Sequence, residues 1–285
     1  MTSQRKPPVR EQRDTPSPKA RFQDPWVPFP EGAEVVKSMG KLIARPNEGR
    51  PHNLALIGDS GFGKSHLFDY FADCYPDIAE EMPPRIQVVN LRVTSDCDGK
   101  GLMRGLLSEI GATYRANDAY DDLLRDFCIK AEVCEVGIVL LDEFHNGINT
   151  RRDRTLNFIR AVRDLSNYLR RPIAVAGDER VRELLRYDKQ LDERFQIRQL
   201  PVWDDKERVR QLLATFDERL GLTEKSMLGT TKFAEKVMEL AGNHMGSISE
   251  LIREAGHIAV REGAAKVTTD HLAKARIVVS RGLAA

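Results

Sequence analysis

The stretch from Leu54 to Ser65, LALIGDSGFGKS, is an apolar run that leads directly into a G-x-x-x-x-G-K-S pattern. The apolar run predicts a strand, and residues 66–72 predict a helix after the pattern. The glycines let successive backbone N–H groups turn toward anionic oxygens, and a helix N-terminus favours negative charge. The stretch therefore predicts a phosphate loop for a nucleoside triphosphate. The predicted nucleotide-binding residues are Gly58, Asp59, Ser60, Gly61, Phe62, Gly63, Lys64, Ser65 and His66.

An acidic motif follows further along the chain. Residues 138–141 are apolar, and Asp142 and Glu143 come directly after them. A buried strand that ends in two acids is a Walker B motif. We expect Asp142 and the Ser65 hydroxyl to hold Mg²⁺, Lys64 to contact the β- and γ-phosphates, and Glu143 to polarise the attacking water. These residues predict a Mg-dependent ATPase. The alternative for Glu143 is a solvated acid at a strand end, since many phosphate-loop folds carry only the aspartate.

Two further positions resemble those that complete the active site in ATPases of the AAA+ class. Asp178 follows the apolar segment 172–176 at the place called sensor 1, which usually carries Asn, Thr or Ser. Asp178 could orient water or cap the following helix, and both roles stay open. Arg194, directly before Phe195, matches an arginine finger, which acts in trans on a neighbouring subunit's nucleotide. Arg198 is the second candidate, and an intrachain salt bridge of Arg194 is the alternative.

Apolar segments alternate with amphipathic ones over most of the chain. Continuously apolar segments separated by helices are typical of a parallel sheet covered on both faces. The segments that predict strands are 54–57, 85–91, 136–141 and 172–176. We therefore predict an α/β fold over residues 25–203, and the resemblance of its motifs to AAA+ ATPases implies an AAA+ nucleotide-binding domain.

The two ends of the chain differ from this domain. Beyond residue 203, amphipathic helices are predicted at 204–220, 232–241, 247–261 and 269–279 with no strand between them, which indicates a small all-α lid domain over 204–285. Residues 1–24 combine proline with polar and charged residues, and we predict a disordered arm there.

The composition limits the class of protein. Charged residues make up 31% of the chain, but the formal net charge is +1, so a nucleic-acid surface requires local clustering of basic residues. No apolar run approaches the roughly 18 residues of a membrane span, and the polar N-terminus lacks the apolar segment of a signal peptide. The four cysteines form no C-x-x-C pair, and the histidines have no metal-ligand spacing. We expect a cytoplasmic protein without a membrane partner.

Basic residues cluster after two of the predicted strands. Loops at adjacent strand ends could face one channel in a ring or helical assembly, where they would follow a phosphate backbone without contacting bases. A solvated charged face is the alternative, and neighbouring acids dilute both clusters. The candidate DNA contacts are Arg92, Lys100, Arg104, Arg151, Arg152 and Arg154.

Several segments together resemble the TniB/TnsC family of AAA+ ATPases, the target-selection regulators of certain bacterial transposons. The ATPase motifs would fit any AAA+ protein, whereas a second set of blocks is more specific. These blocks are Leu156–Arg160 (LNFIR), Leu165–Asn167 (LSN), Gln190-Leu191, Arg194-Phe195 and Leu200–Trp203 (LPVW).

The resemblance implies a bacterial, nucleoid-associated ATPase that forms rings or helical filaments on double-stranded DNA. Such a homo-oligomer would recruit a transposase of the TniA/TnsB type, respond to a targeting factor of the TniQ type, and disassemble on ATP hydrolysis. The chain departs from the AAA+ pattern at Asp178 and at Ser249, near the usual sensor 2 arginine. A helicase loader or replication-initiation ATPase is one alternative, and an ATP-binding scaffold with incidental hydrolysis is another.

Overall fold

The structure is a computed structural model that describes residues 29–44, 52–78 and 83–282. The predicted N-terminal arm, residues 1–24, lies outside the described residues. The chain divides into two compact units. The larger unit lies within Trp26–Asp205 and includes the segment Gly242–Ile248, and the smaller unit consists of Lys206–Ala241 and Ser249–Ala285. The predicted domain boundaries stay a prediction.

A five-stranded parallel sheet organises the larger unit. Its spatial order is β2-β3-β4-β1-β5. Every residue of β1, β3 and β4 is buried, because these strands have neighbours on both sides and helices over both faces. The strands are β1 (Asn53–Ile57), β2 (Val88–Arg92), β3 (Ile138–Asp142), β4 (Ile173–Gly177) and β5 (Phe195–Gln199).

Helices cover the sheet of the larger unit. α3 packs against α4 and α5, and α1 packs against α2. The core that includes Ala55, Val139 and Val175 of the sheet also includes fully buried Phe127 and Phe158 from α4 and α5. The helices are α1 (Pro30–Ala44), α2 (Lys64–Asp73), α3 (Gly99–Glu109), α4 (Tyr120–Val133), α5 (Arg152–Tyr168), α6 (Arg180–Arg186) and α7 (Lys189–Arg194), with a 3-10 turn at Phe144–Gly147.

The remaining helices follow β5. α8 packs on α9, and α9 packs on α11, around buried Leu213, Val237 and Leu272. These helices are α8 (Lys206–Arg219), α9 (Thr231–Ala241), α10 (Met245–Arg261) and α11 (Thr269–Gly282). Their presence after a parallel α/β sheet confirms the predicted fold class.

The edge strand β5 is the one element of the sheet that lies outside the predicted strands. Phe195 is buried, but the other four residues of β5 are partly or fully exposed, because an edge strand has a neighbour on one side only. Its sequence FQIRQ therefore lacks the apolar run of the central strands. Among the described residues, no helix combines the length and the apolar character needed to cross a membrane.

Candidate active site

The phosphate loop lies between β1 and α2, at the carboxyl edge of the sheet. Gly61 and Gly63 have φ angles of 79° and 80°, a left-handed conformation that a side chain would strain. The backbone N–H of Gly58 donates to the carbonyl of Gly177 (3.1 Å), which fixes the start of the loop against β4. α2 begins at Lys64 without a side-chain cap, so its first N–H groups can bind an anion. The loop has the geometry of a phosphate-binding site.

Lys64 is buried inside this loop. Its ammonium donates hydrogen bonds to the carbonyls of Gly58 (2.7 Å) and Asp59 (2.8 Å). Burial lowers the pKa of Lys64 below its usual value, and the carboxylates of Glu143 and Asp142 oppose this shift. Since an ammonium has three donors, Lys64 can contact a phosphate oxygen while it holds the loop.

Asp142 ends β3 with a buried carboxylate. The residue is 5% exposed, and within the described part of the chain its Oδ1 atom has no hydrogen-bond partner. No group of three or more His, Cys, Asp and Glu side chains in that part could hold a metal ion by itself. Protein-bound Mg²⁺ commonly combines one or two carboxylates with substrate phosphates and water. The free oxygen of Asp142, with the hydroxyl of Ser65 at the start of α2, fits that set of ligands.

Glu143 follows Asp142 in a left-handed backbone conformation, with φ 53° and ψ 35°. Its Oε2 atom lies 3.3 Å from Nε2 of His145, and the same nitrogen lies 3.8 Å from Oδ2 of Asp178. Because β4 lies between β1 and β3, Asp178, directly after β4, lies between the phosphate loop and the acidic pair. These side chains form a line of contacts across the carboxyl edge of the sheet.

Asp178 is also bound to the start of α6. It accepts a hydrogen bond from the backbone N–H of Arg180 (3.0 Å) and forms an ion pair with the Arg180 guanidinium, whose shortest distance is 2.6 Å. Burial acts to raise the pKa of Asp178, but the hydrogen bonds from Arg180 and the nearby His145 hold it below its usual value. The carboxylate therefore stays ionised. The structure places it at the start of the helix, and a role in orienting water stays a prediction.

Arg194 lies at the amino edge of the sheet, where the strands begin, whereas the phosphate loop lies at the carboxyl edge. This arginine ends α7 and directly precedes β5, whose first residue is in register with Asn53 at the start of β1. Its Nη1 atom donates to Oδ1 of Asn167 (2.7 Å) and lies 3.4 Å from Oγ of Ser166. Within the described residues, its polar contacts are with these two neutral side chains. The alternative, an intrachain salt bridge, would need an acidic partner. The other candidate, Arg198, is exposed on β5.

The six candidate DNA contacts fall into two groups. Lys100 and Arg104 of α3 donate to the carbonyls of Asp118 (3.1 Å) and Ala116 (2.5 Å), and so hold the loop that leads into α4. The other four lie at the carboxyl edge of the sheet: Arg92 at the end of β2, and Arg151, Arg152 and Arg154 at the start of α5.

The segment Gly242–Ile248 contacts the phosphate loop within the larger unit. The backbone N–H of Gly246 donates to the carbonyl of Gly61 (2.6 Å), and the ring of His244 lies 5.9 Å from that of Phe62. A Cβ atom on Gly246 would lie 3.1 Å from the Gly61 carbonyl oxygen. The sequence does not predict these contacts, because a single glycine near a helix start also occurs as an ordinary cap.

A parallel sheet with a phosphate loop after β1, acids at the end of β3, and helices after β5 defines an AAA+ ATPase. The chain belongs to the TniB family, since the family model described as "Bacterial TniB protein" matches residues 20–205. A search of curated proteins gave no match.

Solved structures with the same fold include two ORC proteins and one domain of a replication initiation protein. The Aeropyrum pernix ORC2 protein in ADPNP-ADP complexes is 13% identical, with a TM-score of 0.63 over 90% of this chain and 70% of that chain. The A. pernix ORC1 protein in complex with DNA is 16% identical, with a TM-score of 0.63 over 92% and 69%. Domain III of the Thermotoga maritima replication initiation protein DnaA is 17% identical, with a TM-score of 0.55 over 88% and 92%. At these identities the likeness shows the fold alone.

Proposed function

We propose that this AAA+ ATPase is a regulator of transposition that oligomerises on double-stranded target DNA and recruits a transposase. ATP bound between subunits stabilises the oligomer, and hydrolysis disassembles it. The observation that carries the proposal is the position of Arg194 at the sheet edge opposite the phosphate loop. A guanidinium held there cannot reach the nucleotide of its own subunit, but it can complete the site of a neighbour.

The chemical step that we propose is direct attack of water on the γ-phosphorus of ATP, with cleavage of its bond to the β–γ bridging oxygen. Glu143 accepts a hydrogen bond from the attacking water, and Lys64 balances charge on the phosphate oxygens. Asp142 and Ser65 would hold Mg²⁺, which neutralises charge on the phosphates when it is bound. Arg194 of the adjacent subunit stabilises the charge of the transition state.

The proposed DNA surface consists of Arg92, Arg151, Arg152 and Arg154. The last three lie at the positive end of the α5 dipole, where cations are unfavourable unless an anion lies nearby. Asp153 lies in the same first turn, and a DNA phosphate would be a further such anion. Because these residues lie at the same sheet edge as the nucleotide site, ATP-dependent assembly would align them along one duplex.

Electron microscopy of the protein with duplex DNA and a non-hydrolysable ATP analogue tests the proposal. We expect rings or filaments that require both DNA and nucleotide. If no such assemblies form when the analogue saturates the protein, the DNA-bound oligomer is refuted. If the protein instead binds a replicative helicase and forms no such assemblies, that result would favour the helicase-loader alternative.

A charge-matched comparison tests the DNA surface. Replacing Arg151, Arg152 and Arg154 with alanine should weaken DNA binding and lower the slope of log K against log salt by about 0.9 for each phosphate that these residues neutralise. The control replaces three basic residues of α4 and α7 that belong to surface ion pairs of small energy: the exposed Arg125 and Lys189 and the half-buried Lys130. Equal salt slopes for the two triple variants would contradict the proposed surface.

A further inference from the structure

His145 lies in the 3-10 turn directly after the acidic pair, and its ring bridges two carboxylates. The Nε2 atom is 3.3 Å from Oε2 of Glu143 and 3.8 Å from Oδ2 of Asp178. Within the described residues, His145 is the one side chain that forms an ion-pair contact with Glu143. When Nε2 carries a proton, this nitrogen is a donor that faces the Glu143 carboxylate.

The surroundings of His145 fix the ring from several sides. The side chain is 12% exposed, and a Cβ atom on Gly177 would lie 2.9 Å from its Nδ1, so the absence of a side chain at Gly177 lets the ring lie against β4. The turn itself is anchored by Phe144, which is fully buried, and by the amide of Asn146, which donates to the carbonyl of Val93 (2.9 Å). The ring therefore has little freedom to move away from Glu143.

A packing role alone does not account for the histidine. Its Nδ1 atom is buried and has no hydrogen-bond partner in the described part of the chain. A buried polar atom without a partner costs about 1–3 kcal/mol, and an apolar side chain would fill the same space without that cost. The contacts of the polar ring atoms are all at Nε2, on the side of Glu143 and Asp178.

Glu143 needs such a support. Its backbone is in the left-handed region, its side chain is 27% exposed, and a partly exposed glutamate has several rotamers to choose from. Asp178, in turn, is fixed by its ion pair with Arg180. The line Glu143, His145, Asp178, Arg180 thus connects the end of β3 to the start of α6.

We infer that His145 is a positioning residue that holds the Glu143 carboxylate in place for the attacking water and ties it to the end of β4 through Asp178. This inference rests on the proposed role of Glu143 in hydrolysis. It assigns to His145 an effect on the chemical step and none on nucleotide binding.

Three substitutions at His145 separate the polar contact of Nε2 from the volume of the ring. The amide nitrogen of Gln reaches the place of Nε2, whereas that of Asn reaches only the place of Nδ1. We expect His145→Gln to retain most of the kcat for ATP hydrolysis. His145→Asn and His145→Ala should lower kcat about tenfold, a part of the roughly 10²–10⁴-fold that a positioned general base contributes. The KM for ATP and the Kd for a fluorescent ATP analogue should change less than about twofold in all three.

The same measurements in a Glu143→Gln background distinguish this inference from the proposed function. If His145 acts through Glu143, adding His145→Asn there should lower the residual turnover no further. An unchanged kcat in Glu143→Gln alone would refute the role of Glu143. If Glu143→Gln has a large effect but His145→Gln and His145→Asn have equal kcat values, the role of His145 is refuted and that of Glu143 is not. A kcat that rises in His145→Ala would also refute the role of His145. Thermal unfolding of each variant identifies any loss of kcat that comes from misfolding.

Discussion

Replacing Arg194 with alanine should remove ATP hydrolysis that depends on a neighbouring subunit, and the structure gives the reason. Arg194 precedes the residue paired with Asn53, and the phosphate loop begins at Gly58 beyond the other end of β1. At about 3.3 Å per residue in a parallel strand, the two backbone positions lie about 20 Å apart. An arginine side chain spans less than half of that distance. Arg194 therefore cannot act on its own nucleotide, and we expect Arg194→Ala to lower kcat by about 10³-fold or more, as for other arginine fingers.

A mixing assay tests whether this arginine acts in trans. Arg194→Ala supplies an intact Glu143, and Glu143→Gln supplies an intact Arg194. In an equal, random mixture of head-to-tail subunits, about one quarter of the interfaces would combine both intact residues, so turnover should recover to about one quarter of the wild-type rate. A mixture no faster than the mean of the two separate variants would refute the reasoning. Arg198→Ala is mixed with Glu143→Gln in parallel, and recovery there, with full activity of Arg194→Ala alone, would assign the role to Arg198.

Three further predictions test the site and the fold. Lys64→Ala should abolish the stabilisation of about 2.7 kcal/mol that ATP at a hundred times its Kd gives the wild-type protein, measured by thermal unfolding; a full ATP-induced shift would contradict the site. Asn53→Ala should lower the free energy of unfolding by about 1–3 kcal/mol, measured by urea denaturation, because the buried Asn53 side chain bonds to Ser166 and to the backbone N–H of Ile173. Iodoacetamide at pH 8 should modify exposed Cys74 well before Cys97, because Cys97 is buried and burial raises the pKa of its thiol to about 12; equal rates in mass spectrometry would contradict the packing around α3.

The sequence predicts the central strands and most helices because these elements are simple patterns. The strands β1, β3 and β4 are buried along their full length, so each is an apolar run, apart from Asn53 at the start of β1 and Asp142 at the end of β3. The edge strand β5 has one neighbour and an exposed face. Its sequence therefore mixes polar and apolar residues, and this pattern does not distinguish a strand from a loop. Pattern alone therefore identifies the centre of this sheet better than its edge.

The active site also contains residues that the sequence predicts and one whose role it does not predict. Lys64 and Asp142 occupy fixed positions in short motifs, so the sequence predicts both. The environment of His145 depends instead on the adjacency of β3 and β4 and on the missing side chain at Gly177, which are facts of tertiary structure. The sequence shows His145 only as a histidine beside two acids.

The support of Arg194 illustrates a different limit. In the sequence, the LSN block contributes to a family resemblance and has no evident physical role. In the structure, Ser166 and Asn167 of that block contact Arg194, and Ser166 also accepts a hydrogen bond from Asn53 at the start of β1. The LSN block, which the sequence shows only as a family motif, thus holds the side chain of Arg194 in place.

β1 connects the two halves of the proposed catalytic site. It begins beside the polar support of Arg194 and ends in the phosphate loop. If Arg194 completes a neighbour's site, each subunit presents half of a site at each end of β1, and no subunit can complete its own. Such an interface is head-to-tail, and it continues until the rotation between subunits closes a ring or forms a helix. The affinity of one subunit for the next then depends on the nucleotide that lies between them, so the phosphate loop controls assembly as well as chemistry.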